Sequence, residues 1–96
     1  LPKVTVKKLY HGTTKSAVEK ILEEGLKSKG RKKVHFSKNI EDAVDVGKRR
    51  TSDPIILEID VMAAKEEGVE FERASGRVFV TDHVPSKFVS IKERSS

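Results

Sequence analysis

The chain has no cysteine, no tryptophan, one methionine and one tyrosine. Without cysteine there can be no disulfide and no thiolate metal site, and the protein fits a reducing compartment. No apolar run approaches the roughly 18–20 residues of a membrane span, and no signal-peptide pattern opens the sequence, so a cytoplasmic protein without a membrane partner is expected. Several catalytic signatures are also missing. There is no G-x-S-x-G elbow, no G-x-G-x-x-G and no Walker sequence, which removes the common routes to a serine hydrolase, a dinucleotide-binding Rossmann unit or a P-loop enzyme. The only histidines, His11, His35 and His83, are spaced 24 and 48 residues apart, with no paired histidines on one helix. No metal is therefore expected.

Ninety-six residues make one small domain, expected to span 1–96, and leave room for one core and one cleft. Charged residues make up 36% and apolar residues 35%. The apolar residues fall in periodic runs, so the sequence folds rather than remaining a solvated tail. The net charge is +5 and unevenly placed: "KSKGRKK" at 27–33 carries five basic residues in seven, and "KRR" follows at 48–50. Such clusters attract phosphates, and they are also ordinary solvated surface. The chain opens at Leu1 rather than Met, which fits a piece of a longer protein.

Local patterns predict the elements. "VTVKKLYHG" reads as a strand ending at Gly12. Ser16 and Glu19 match a capping box for a helix over about 16–24, with Ala17, Val18, Ile21 and Leu22 on its buried stripe and Gly25 as its stop. "VHFS" at 34–37 is a short strand, and Asn39 can cap a second helix whose Ile40, Ala43, Val44 and Gly47 share a face. "PIILEID" at 54–60 is the clearest strand, after which Asp60 caps a short helix over 61–66. "GVEFE" and "RVFVT" read as two strands joined around Ser75 and Gly76, and "KFVSIK" closes with another. Five to seven strands with two or three helices and no regular β-α alternation predict an α+β domain of mostly antiparallel pieces.

The residues with chemical potential gather around "LYHGTT" and "VHFS". Gly12 has no Cβ to keep a flat ring or amide from the backbone, and Thr13 and Thr14 add hydroxyls. A histidine in a strand is by default half-buried and satisfied by a neighbouring carbonyl. If the strands of His11 and His35 share a sheet, the two imidazoles can line one cleft and donate hydrogen bonds to ribose hydroxyls.

The fragments "LYHGTT…ILEEGLKSKGR…VHFS…DAVDVGKRR…PIILEIDV…GRVFVTDHVP", from about Leu9 to Val89, resemble the C-terminal lobe of the RNA (tRNA) 2'-phosphotransferase family. The resemblance implies an ADP-ribosyltransferase-like fold, a split and bent sheet that holds NAD as co-substrate. It implies a three-part signature of His11, His35 and Val78, with Phe79 one residue away as the other choice for the third member. It further implies backbone contacts from Gly12 to the nicotinamide carboxamide, contact of Thr13 with the dinucleotide, Ser37 near the nicotinamide pocket, and Arg31 on the phosphate. Arg31 and His35 would then be the catalytic residues of this lobe. The family often carries a histidine where this chain has Lys33. Its Arg-His pair and a further arginine belong to an N-terminal RNA-binding lobe, with which this lobe would act.

The implied reaction transfers an internal 2'-phosphate from spliced RNA, tRNA in the first place, to ADP-ribose, giving ADP-ribose 1'',2''-cyclic phosphate and nicotinamide. On this reading the lobe alone would be weakly active or inactive. Two further readings stand beside it: an ADP-ribosyltransferase acting on another nucleic-acid or phosphate acceptor, and a non-catalytic module that binds NAD or RNA.

Overall fold

Alternating apolar residues build the middle of a sheet. In the computed structural model, which describes residues 6–28 and 33–92, β1 (Lys8–Thr13) and β4 (Ile55–Asp60) pair antiparallel over six positions, from Lys8↔Asp60 to Thr13↔Ile55. Because side chains alternate across a strand, this register puts Leu9, His11 and Thr13 on one face with Leu57 and Ile59, and Tyr10 and Gly12 on the other with Glu58 and Ile56. The other strands are β2 (Leu26–Lys27), β3 (Val34–Ser37), β5 (Glu72–Arg73), β6 (Val78–Thr81), β7 (His83–Val84) and β8 (Val89–Ile91). Among the described residues, six of the eight strands form one bent antiparallel sheet in the order β5-β6-β3-β1-β4-β8, and β2 pairs with β7 in a separate small sheet. The α+β architecture read from the sequence is the one observed.

Among the described residues three helices complete it: α1 (Lys15–Glu24), α2 (Ile40–Gly47) and α3 (Val61–Glu66). Asn39 caps α2 through Oδ1, which accepts from the Asp42 N–H at 2.9 Å, and Asp60 caps α3 by accepting from the Ala63 N–H at 3.2 Å. At α1 the cap differs from the expected one. Thr14, not Ser16, takes the N-cap, its Oγ1 accepting from the Ala17 N–H at 3.3 Å, and the helix starts at Lys15. Two hydroxyl residues two positions apart compete for one role. β1 runs on to Thr13, so Thr14 is the residue in extended conformation beside the first turn. Gly25 ends the helix with a φ of 83° and donates its N–H to the Ile21 carbonyl at 2.7 Å. The strand expected from Val4 begins at Lys8, with Val6 and Lys7 before it and Val4 and Thr5 lying outside the described residues.

The core lies on the Leu9 face. Leu9, Phe36, Leu57, Ile59 and Phe79 from the large sheet meet Leu26 and Val84 from the small one and Val61 and Ala64 from α3. The two-residue strands β2 and β7, too short for any periodic signal, deliver Leu26 and Val84 to this core. The opposite face receives α2. A Cβ on Gly12 would lie 2.2 Å from the Ala43 carbonyl oxygen and 3.1 Å from the Gly47 Cα. Gly47 is hemmed in likewise, since its own Cβ would meet Pro54 Cβ at 2.5 Å. This glycine pair lets the helix sit directly on the strand that carries His11.

Candidate functional site at the split between two strands

β1 meets β4 along its whole length but meets β3 only at Tyr10↔Ser37. Continuing that register would bring Gly12 opposite His35. Among the described residues the ladder does not reach that pair, and a side chain crosses the gap instead. His11 Nδ1 lies 2.8 Å from the His35 carbonyl oxygen. A carbonyl only accepts, so Nδ1 carries the proton and Nε2 of the neutral ring is an acceptor.

Burial holds the His11 imidazole below the ordinary histidine range. The bond to the His35 carbonyl works in the opposite direction, and the positive charge of Arg50 lowers the pKa further. The ring stands edge-on to Phe36 at 5.8 Å between centroids, and Phe36 meets Phe71 in the same manner at 6.0 Å. His11 is thus a neutral, oriented imidazole at the point where two strands part.

The strands of His11 and His35 share one sheet, and His11 meets the default expectation for a strand histidine, a ring satisfied by a neighbouring carbonyl, here that of His35. Side chain meets backbone. Strand alternation puts the His11 ring on the face of Phe36, whereas the exposed His35 faces the other way, level with Val80. The proton inventory also changes the expected chemistry. With Nδ1–H engaged, Nε2 is left as an acceptor, where a donor was expected.

Gly12 and Thr13 are buried at the end of β1. The space created by the missing Cβ of Gly12 is filled by α2, so a ligand would meet Gly12 only along its backbone edge. Ser37 is buried between Tyr10 and Val78 in one cross-strand row. Val78 thus shares a face with Ser37 and His35, whereas Phe79 pairs with Phe36 in the core. Lys33 binds Glu72 of β5, Nζ to Oε1 at 3.1 Å, an exposed ion pair that tethers the start of β3. Arg31, the expected phosphate contact, lies outside the described residues.

Two elements of this neighbourhood escaped the sequence patterns. One is the glycine contact, since nothing in the order of residues pairs Gly12 with Gly47. The other is the effect of Arg50's charge on His11, since the "KRR" run pointed to phosphate attraction or solvated surface and not to a histidine. A separate open hollow of about 330 Å³ is lined by Glu67, Glu70, Thr81, Asp82, His83 and neighbours. None of the residues expected to hold NAD lines it, and its three carboxylates would repel a phosphate-bearing ligand. Among the described residues, no group of three or more His, Asp or Glu is arranged to hold a metal ion. No described helix is long and apolar enough to cross a membrane.

Comparison with known proteins fits this arrangement. The family described as "RNA 2'-phosphotransferase, Tpt1 / KptA family" matches residues 2–83. A probable RNA 2'-phosphotransferase of Acetivibrio thermocellus is 41% identical over 81 residues, covering 84% of this chain and 44% of the relative. Its counterpart in Fusobacterium nucleatum is 44% identical over 81 residues, covering 84% and 45%, and that of Bacillus thuringiensis is 41% identical over 85 residues, covering 88% and 46%. The chain spans less than half the length of each of these three relatives. Most of its length, from the strand that carries His11 to the small sheet behind the core, falls within the match, and the chain belongs to the RNA 2'-phosphotransferase, Tpt1 / KptA family.

Proposed function

We propose that this domain is the NAD-binding part of an enzyme that removes an internal 2'-phosphate from RNA, tRNA in the first place, by transferring it to ADP-ribose. The observation that carries the reading is the neutral His11 imidazole, tied by Nδ1 to the His35 carbonyl where β1 and β3 part, in a chain of the RNA 2'-phosphotransferase family. NAD fits the residues present. The backbone edge of Gly12 can meet a carboxamide, His11 Nε2 accepts from a ribose hydroxyl, and the exposed imidazole of His35 offers a flat surface on the Val78 and Ser37 face. NAD supplies the electrophilic ribose carbon and the nicotinamide leaving group.

In the first step a 2'-phosphate oxygen bonds to C1'' of the nicotinamide ribose as the C–N bond breaks and nicotinamide leaves neutral. In the second, the ribose 2''-oxygen bonds to the same phosphorus, the bond from phosphorus to the RNA 2'-oxygen breaks, and that oxygen takes up the proton released by the 2''-hydroxyl. The products are ADP-ribose 1'',2''-cyclic phosphate and RNA with a free 2'-hydroxyl. Charge moving onto phosphorus is best stabilised by planar two-donor cations, the role given to Arg31. Within such a cytoplasmic enzyme, the chain would act with an RNA-binding lobe that supplies the remaining cations. Alone it would turn over slowly, because a set of arginines acts non-additively.

Calorimetry with NAD and ADP-ribose tests the binding half. Binding is expected for the wild-type chain, with loss of affinity in His11→Ala. No affinity in a folded chain, or no effect of that substitution, would overturn the NAD site. Single-turnover assays that follow nicotinamide release and RNA dephosphorylation separately test the chemistry. In a protein carrying both lobes, Arg31→Lys keeps the charge and loses the two-donor fork, so phosphate transfer should fall well beyond any change in NAD affinity.

A further inference from the structure

The His11 ring and the His35 carbonyl stand on two strands that barely pair. The ladder between β1 and β3 holds at Tyr10↔Ser37, whereas the bond from Nδ1 to the carbonyl, at 2.8 Å, lies beyond it. A hydrogen bond weakens steeply with distance and angle, so something besides the ladder must keep ring and carbonyl in place. Side-chain packing supplies it. Continuing the register of Tyr10 and Ser37 sets His11 opposite Phe36, and the two rings meet edge to face, 5.8 Å apart and inclined by 60°.

Phe36 is in turn held from behind. It is fully buried, with its ring edge-on to Phe71 at 6.0 Å and 64°. Phe71 directly precedes β5 and is buried as well. The backbone on either side of it is anchored. The Thr81 hydroxyl donates to the Glu70 carbonyl, while Glu72 pairs with Val80 and its carboxylate binds Lys33, next to β3, at 3.1 Å.

A buried phenylalanine ordinarily only fills volume. Phe71 differs in what it backs. Among the described residues, Phe36 is the ring that meets His11, and Phe71 is the ring that meets Phe36 from the other side. Aromatic edges and faces have preferred orientations, so two such contacts in series pass on orientation as well as bulk. Phe88 packs against the same core, but its ring lies under the Lys87 ammonium instead.

We propose that Phe71 is a positioning residue: through Phe36 it holds the His11 ring on the His35 carbonyl and so keeps Nε2 free as the acceptor for the ligand. The ligand half rests on the reading that the strand split takes NAD. The hold on the ring does not.

Nitrogen NMR of the neutral His11 ring in the full chain reads that hold directly. In wild type one ring nitrogen carries the proton and the other is bare, so their shifts should lie far apart. Phe71→Leu removes the ring behind Phe36. The proton should then spread over both nitrogens and the two shifts should converge. Phe71→Met, whose longer side chain can still reach the Phe36 ring with its sulfur, should converge less. Phe88→Leu makes the same deletion in the same core and should leave the shifts as in wild type. Wild-type shifts in both Phe71 variants, or an equal change in Phe88→Leu, overturn the proposal. Should Phe71→Leu not fold, Phe71→Met decides it: convergence there and not in Phe88→Leu supports the proposal, and no convergence overturns it.

ADP-ribose then tests the bearing on the ligand. Affinity should fall roughly 5-fold in Phe71→Leu, the worth of one neutral hydrogen bond, and hold in Phe88→Leu. Wild-type affinity in a Phe71→Leu chain whose shifts have converged overturns the ligand half. If the shifts respond to Phe71 while neither NAD nor ADP-ribose binds the wild-type chain, the NAD reading fails and the hold of Phe71 on the ring stands.

Discussion

Replacing Gly12 with alanine tests whether the contact of α2 with β1 holds the site together. The added Cβ would lie 2.2 Å from the Ala43 carbonyl oxygen, an atom of helix backbone with no rotamer to escape into, and 3.1 Å from the Gly47 Cα. Relief to an ordinary separation near 3.3 Å needs about 1 Å of retreat by the helix, in an interior packed with little free volume. Retreat loosens the buried Ala43 and Ile56. Overpacking of this kind costs about 1–3 kcal/mol. For a domain of this size that corresponds to a fall in Tm of roughly 5–20 °C.

Gly47→Ala sharpens the test. Alanine in a helix is ordinarily favoured over glycine by about 1 kcal/mol. Here the new methyl meets Pro54 at 2.5 Å, so the substitution should destabilise. At Gly76 a Cβ would have no neighbour within 4 Å, and Gly76→Ala should change stability by no more than about 0.5 kcal/mol. Urea denaturation of the three variants, with equal slopes confirming comparable unfolding, is the assay. Wild-type stability in Gly12→Ala, or stabilisation by Gly47→Ala, would refute the packing argument.

The pH dependence follows from His11. Its folded pKa lies below the ordinary 6.5, so the unfolded chain takes up the proton first and the fold loses stability as pH falls from 6.5 toward the folded value. The difference between the stability profiles of wild type and His11→Gln should isolate this slope, and parallel profiles would contradict it. At the start of α1, Thr14→Ala should cost about 1 kcal/mol, whereas Ser16→Ala, whose hydroxyl meets only Thr14 Oγ1 at 3.1 Å, should cost less; chemical denaturation ranks the two. Thr81→Val should cost about 1–2 kcal/mol, because the buried Thr81 hydroxyl donates to the Glu70 carbonyl and its isostere leaves that acceptor unpaired, again read by denaturation.

Local chemistry alone determined much of this protein. β4 and its alternation, the Asn39 and Asp60 caps, the Gly25 stop and the hairpin around Ser75 and Gly76 depend on residues a few positions apart, so their signals lie in short windows of sequence. The gathering of histidine, glycine and hydroxyl residues in "LYHGTT" and "VHFS" was legible for the same reason, and so was the family. Register and long-range packing were decided only by the tertiary structure. The choice between Thr14 and Ser16 turned on where β1 stops. The face of Val78 relative to Phe79 turned on the pairing with β3, because a slip of one residue inverts a strand. The contact of Gly12 with Gly47 joins residues 35 positions apart that have no shared periodicity. That a strand histidine finds a neighbouring carbonyl was expected from its residue type, but that the carbonyl is His35's was decided by the tertiary structure, since this backbone acceptor becomes available only where the ladder between β1 and β3 ends.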